Sequence, residues 1–348
     1  MSTRYLSIII PAYNSWGNVV LLLTSLLKSS YKNFEVIIGD DASHTQKPPE
    51  LLTLLKRIIG KTRPQIVRIP LNTGPAAARN AAAKKAKGRV IVFLDSDVTC
   101  YPDTLRKIAE KFSLDEDLTA LTGVWDKHQK TSNFFPQFKA LRDWSYWTNE
   151  RDSDGYYYLF STRIAAIKTD VFKRLGGFNE TFRQMEDVEI TYRIAKRYAI
   201  IFAADVRVHH EFEGFWPVAR KYFWRSFYWT RLYSARKKFD PVATTLWESM
   251  AGITGAGVVC LGLLCVSALS YLSVLRYLFA LTAVLHIFLV RKFLHFVYKE
   301  KGFAFMLKSL VTGIALYCVI VAGAIYYQLI TLNTVTYGDS NTGDKSSG

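Results

Sequence analysis

Short apolar runs alternate with amphipathic stretches through roughly the first 120 residues, the signature of strands joined by crossover helices in a parallel sheet. Residues 7–10, 34–38, 65–69 and 89–94 read as strands, the last of them apolar enough to be buried on both faces. Between them, residues 19–27, 50–59 and 74–87 read as helices, the third opening on Gly74-Pro75 with proline in its first turn. Such crossovers are right-handed, and ligands meet these sheets at the carboxyl ends of the strands. Asp40-Asp41 end the second strand and Asp95-Ser96-Asp97 the fourth, so acids fall where a ligand is expected.

Residues 133–147 are aromatic and partly basic, and suit either an amphipathic helix on a membrane surface or a helix packed on the domain's own core. Gly176-Gly177-Phe178-Asn179 marks a turn. Residues 187–198 then read as a helix with Val188, Thr191, Tyr192 and Ala195 on one face, and 199–203 and 206–208 as short strands leading to His209-His210.

The pattern then changes. From 241 to 290 only Glu248 and Arg276 are charged, and from 309 to 332 nothing is. Membrane spans are predicted at 250–269, 272–290 and 309–330, because a helix of about 20 apolar residues crosses a bilayer. Arg276 lies near one end of the second span, where it can snorkel. The chain therefore divides into a soluble α/β domain (1–212), an aromatic-basic interfacial helix (213–240), a membrane region (241–332) and a polar, disordered tail (333–348).

The formal net charge of +16 admits nucleic acid or an anionic membrane as partner. Arg220, Lys221, Arg225, Arg231, Arg236, Lys237 and Lys238 interleave with aromatics just before the first span, which favours lipid headgroups over base stacking. The basic loop 291–308 places the cytosol on its own side of the membrane, together with the front domain. The apolar start is too short, and too soon followed by Pro11, for a signal peptide. Cys100, Cys260, Cys265 and Cys318 form no CxxC pair, in keeping with a reducing compartment where Asn179-Glu180-Thr181 stays unglycosylated.

Asp95 and Asp97, one residue apart, repel each other unless a cation holds them. Their hard oxygens suit Mg²⁺ or Mn²⁺ completed by phosphate, although loops also contain such a pair by chance. Asp40-Asp41 suit either a turn or a hydrogen bond to a ribose or base. Arg79 suits a diphosphate or a solvated helix surface. Glu186-Asp187 suit a helix start or a general base. His209 and His210 suit a metal or a structural role.

Taken in order, SIIIPAYN (7–14), VIIGDDAS (36–43), LNTGPAAARNAA (71–82), VIVFLDSD (90–97), LGGFNE (175–180) and MEDVEITYRI (185–194) resemble the family 2 glycosyltransferases with a GT-A fold. The resemblance covers about residues 4–210. It implies a Rossmann-like nucleotide-diphospho-sugar transferase domain, here followed by the interfacial helix and three spans. By this likeness Pro11, Ala12, Tyr13 and Asp41 line a nucleoside pocket, Arg79 faces the diphosphate, and Asp95 and Ser96 contact the nucleotide sugar. Asp97 holds a divalent cation (Mg²⁺ or Mn²⁺), with Asp95 and His209 as further ligands. Asp187 is the general base, supported by Glu186. The implied reaction inverts configuration. The QxxRW-type motif of the processive synthases is missing, so one sugar is expected to move per event, to a hydroxyl of a lipid or lipid-linked acceptor. The alternatives are a polyprenyl-phosphate sugar synthase and a non-catalytic, membrane-anchored subunit that binds a sugar nucleotide.

Overall fold

The computed structural model describes residues 5–58, 65–150, 158–236, 245–266 and 273–339. The chain forms two compact units, Met1–Phe212 and Glu213–Gly348.

The first unit is built on a mixed sheet. Its strands are β1 (Leu6–Ala12), β2 (Phe34–Asp41), β3 (Gln65–Ile69), β4 (Val90–Leu94), β5 (Val98–Cys100), β6 (Ala120–Trp125), β7 (Ile164–Lys168) and β8 (Ile200–His210), in the order β3-β2-β1-β4-β7-β6-β8-β5. The four strands predicted for the front of the chain pair in parallel, β3-β2-β1-β4. β7 runs antiparallel to β4 and β6, and β5 antiparallel to β8. The two short strands expected at 199–203 and 206–208 are one strand, β8, whose register on β6 shifts between Thr122 and Val124. At that irregularity a Cβ on Gly123 would stand 2.3 Å from the Val206 carbonyl oxygen, which explains both the glycine and the interrupted pattern.

Side chains alternate across a strand, so β1 feeds two cores. Ile8 and Ile10 join Val36, Ile38 and Val92 beneath α1 (Trp16–Leu27), α2 (Pro49–Arg57) and α4 (Thr104–Leu114). Ile9 joins Ile37, Ile91 and Phe93 beneath α3 (Pro75–Ala83), α6 (Thr169–Arg174) and α7 (Glu186–Ala195). The segment at 133–147 forms α5 (Phe134–Ser145), continued by a π-helical turn at Tyr146–Glu150. Its Phe138, Ala140 and Leu141 are buried, as in a helix packed on its own domain.

Helix α3 matters most for the site, because its small alanines let it lie very close to β2. A Cβ on Gly39 would fall 2.1 Å from the Ala78 carbonyl oxygen. Gly39→Ala is therefore expected to push α3 off the sheet and to cost about 1–3 kcal/mol of stability. Urea unfolding of the two proteins measures it; an unchanged midpoint would show that the helix can shift freely.

The second unit consists of α8 (Phe215–Arg236), α9 (Leu246–Val266), α10 (Ser273–Lys301) and α11 (Phe303–Asp339). Among the described residues three helices are long and apolar enough to cross a membrane: Leu246–Val266, Ser273–Lys301 and, within α11, Phe303–Thr331. Two expectations are corrected. The basic stretch 291–308 is not a loop: α10 runs to Lys301, and Gly302 alone, at φ +82°, separates it from α11. Val290, Phe293, Leu294 and Val297 are buried at helical spacing, so packing carries the helix through its charged turns. The polar tail does not begin at 333 either, since α11 continues to Asp339 and residues 333–337 hold neither proline nor glycine. Residues 237–244, 267–272 and 340–348, on which parts of the interfacial helix, first span and tail were predicted, lie outside the described residues.

Candidate active site

The predicted residues gather at the carboxyl ends of β1, β2 and β4. β1 runs through Pro11 and Ala12 to Tyr13, which is 46% exposed and meets His44 edge to face. Asn14, at φ 51°, accepts the amides of His44 and Thr45 and so turns the chain away from the sheet.

Asp40 and Asp41 then take different jobs. Asp40 is fully buried, accepts the Ser43 amide at 2.9 Å and pairs with Arg68 at 3.0 Å. Burial alone would raise its pKa; the Ser43 hydrogen bonds and the Arg68 and Lys47 charges hold it below the usual carboxylate range. Asp41 accepts the amides of Thr73 (2.9 Å) and Gly74 (3.0 Å). In this structure it pins the loop that starts α3, where the resemblance has it lining a nucleoside pocket.

Arg79 is the central side chain. It is 3% exposed and donates from Nη1 to Glu186 Oε1 and from Nη2 to Asp95 Oδ1, both at 2.7 Å. The resemblance has it facing a diphosphate; in this structure it bridges two carboxylates far apart in sequence, and the close approach of α3 sinks the side chain into the cleft. Burial works against its charge, but Asp95 and Glu186 outweigh that and raise its pKa. One positive charge does not balance two carboxylates, although each receives a hydrogen bond. Burial, with Asp97 and Asp187 nearby, raises the Asp95 pKa against the pull of Arg79. Burial and Asp187 do the same to Glu186.

The Gly-Gly-Phe-Asn turn is clasped to α3 by Asn80, whose side chain bonds both the amide (2.9 Å) and the carbonyl (2.8 Å) of Phe178. Gly177 has φ +75°, and a Cβ there would lie 2.5 Å from Asn80 Oδ1, so the turn needs glycine twice over. Past it, Met185 adopts a left-handed φ of 68° and α7 begins. Its first two residues diverge: Glu186 turns inward onto Arg79, while Asp187 stays half-buried and accepts the Val188 amide at 2.9 Å.

Ser96 receives a hydrogen bond from Ser15 at 3.2 Å. Asp97 is 48% exposed, and its Oδ2 lies 3.2 Å from His210 Nε2. His209, which the resemblance makes a further metal ligand, pairs with Glu211 at 2.6 Å, and His210 is the histidine beside Asp97. Asp97 lies in the turn between β4 and β5, outside the strand pairing, so only the folded contact distinguishes the two histidines. Among the described residues no group of three His, Cys, Asp or Glu side chains converges to hold a metal. The Asp97–His210 pair still fits a hard divalent cation, which is commonly bound by one or two protein ligands and completed by substrate phosphates.

A parallel-rooted α/β sheet with acids gathered beyond its strand ends, followed by apolar helices, defines a GT-A-like glycosyltransferase. The chain belongs to glycosyl transferase family 2, whose model matches residues 7–227. Over 108 residues it is 42% identical to an uncharacterized glycosyltransferase of Haemophilus influenzae, covering 31% of this chain and 42% of that protein. Over 103 residues it is 36% identical to the succinoglycan biosynthesis protein ExoO of Rhizobium meliloti, covering 30% of this chain and 28% of ExoO. The matches thus span less than half the length of these two relatives. Its fold is similar to that of the mannosyltransferase PcManGT of Pyrobaculum calidifontis, solved with GDP-Man and Mn²⁺, at a TM-score of 0.55, 16% identity, 94% of this chain and 88% of that one.

Proposed function

We propose that this protein moves a single sugar, with inversion, from a nucleotide-diphospho-sugar to a hydroxyl of a lipid or lipid-linked acceptor, as a step in making a cell-envelope polysaccharide or glycolipid. The observation that carries the reading is the Arg79 bridge, which ties the Asp95-Ser96-Asp97 turn and the Glu186-Asp187 helix start into one cleft. Family membership, and a relative named for succinoglycan biosynthesis, support the reaction class and the setting.

The residues divide the work. Pro11, Ala12 and Tyr13 lie at the open end of β1 and would receive the nucleoside, with Asp41 fixing the adjoining loop. Asp97 and His210 would hold a divalent cation. When bound, such an ion supplies Lewis-acid stabilisation to a diphosphate leaving group, and a fold relative solved with Mn²⁺ supports that choice. Asp187 takes the proton of the acceptor hydroxyl, which attacks the anomeric carbon opposite the leaving group. Glu186, buried on Arg79, keeps the first turn of α7 in place. The basic residues Arg291, Lys292, Lys299, Lys301 and Lys308, gathered about the Gly302 turn, favour a cytosolic position for that turn and the catalytic unit. The aromatic-basic α8 suits an interfacial role.

The test is mass spectrometry of membrane lipids after incubating the purified protein with Mn²⁺ and a panel of nucleotide sugars. A lipid heavier by one hexose-type unit is expected with one donor. Product on soluble acceptors alone would remove the lipid assignment, and no product with any donor would leave sugar-nucleotide binding without turnover.

A further inference from the structure

His210 stands against an aromatic assembly that the reaction, as described, does not use. Its ring centroid lies 5.1 Å from that of Trp125, tilted by 33°, and 4.6 Å from that of Phe212. Trp125 in turn takes the Arg163 guanidinium over its ring at 4.5 Å, and the same guanidinium lies 4.5 Å from the Trp147 ring. Trp147 stacks on Phe202, and Phe202 on Tyr158. Arg163 is 5% exposed and Trp147 7% exposed.

Four separate elements meet here. Trp125 ends β6, Trp147 belongs to the π-helical turn after α5, Arg163 immediately precedes β7, and His210 ends β8. A π-helical turn is uncommon and often falls beside a functional site. Here it brings an indole onto a buried guanidinium, and cation–π attraction between flat groups offsets part of the cost of burying that charge.

The other nitrogen of His210 supplies the reason. Metal-binding imidazoles are usually oriented by a hydrogen bond to the nitrogen that does not face the metal. His210 Nδ1 is buried and has no hydrogen-bond partner among the described residues. Trp125 and Phe212 are the groups packed against the imidazole in place of such a partner.

We propose that Trp125, braced by Arg163 and Trp147, is a positioning residue that fixes the plane of the His210 imidazole, so that Nε2 stays directed at Asp97. The inference rests on the reading of Asp97 and His210 as the cation-holding pair. It identifies Trp125 and Arg163 as determinants of cation affinity, although neither carries a ligand atom for the ion.

The experiment titrates the full-length protein in detergent with Mn²⁺, alone and with GDP or UDP added, following free Mn²⁺ by electron paramagnetic resonance. His210→Ala is expected to weaken Mn²⁺ binding about tenfold, and Trp125→Ala by a similar factor, the range usual for partners that orient a ligand. Trp125→Phe keeps a ring face and is expected to stay near the parent. The double variant Trp125→Ala/His210→Ala should bind no worse than His210→Ala alone, because Trp125 acts only through the imidazole. A merely structural tryptophan gives two losses that multiply, and that outcome overturns the proposal, as does parental affinity in Trp125→Ala. Where Trp125→Ala fails to fold, Arg163→Lys decides: it keeps the charge but loses the flat stacking surface. Weaker Mn²⁺ binding there supports the proposal and unchanged binding overturns it. Parental affinity in His210→Ala, or no Mn²⁺ binding by the parent under any condition, removes the cation-holding pair itself; a loss in His210→Ala without one in Trp125→Ala removes only the bracing role.

Discussion

Asp187→Asn is expected to lower turnover by about 10²–10⁴-fold while leaving donor affinity unchanged. The amide keeps the size of the carboxylate and an oxygen for the Val188 amide, so the start of α7 survives. It cannot accept a proton from an attacking hydroxyl. Donor binding by calorimetry, alongside product formation by mass spectrometry, separates the two effects. Undiminished turnover would remove Asp187 as the base. A parallel loss of donor binding would make it a binding residue instead.

Arg79→Met is expected to lower stability by about 3–5 kcal/mol, because removing one member of a buried ionic group strands the others. Asp95 and Glu186 would then share the cleft with no cation between them, and both already lie above the usual carboxylate pKa range. Burial is the first cause in each case, and further loss of the guanidinium pushes the same way. The sign for pH follows: groups whose folded pKa is raised oppose folding when ionised, so the defect should be larger near neutrality and shrink on acidification. Adding Glu186→Gln to Arg79→Met should recover part of the loss. Chemical unfolding at two pH values measures all of this. A fully stable Arg79→Met protein would show that the guanidinium is not the counter-charge of the cleft.

The front of the sheet was legible in the sequence because each of its strands is a short apolar run, two of them ended by acids, and the crossover helices between them are amphipathic. The rear was not. β6 and β7 carry alanine, threonine and glycine (ALTGVW and IAAIK), which lack the dense branched pattern of β4. Their antiparallel pairing depends on contacts far away in the chain. Within the site, Asp97 and the Glu186-Asp187 pair could be singled out because they follow an apolar strand or open a helix. The embedding of Arg79 could not, since nothing in an alanine-rich helix announces that Gly39 will let it sink so near the sheet. The choice of His210 over His209 needed the folded contact with Asp97, and the role of Arg163 needed two indoles from residues 125 and 147 to meet.

In the cleft Asp95 and Glu186 share the guanidinium of Arg79, and Asp97 and Asp187 lie close enough to Asp95 to raise its pKa. On the proposed reaction, a cleft lined by these carboxylates is expected to admit a pyrophosphate group already masked by a divalent ion, so that the metal arrives with, or ahead of, the nucleotide.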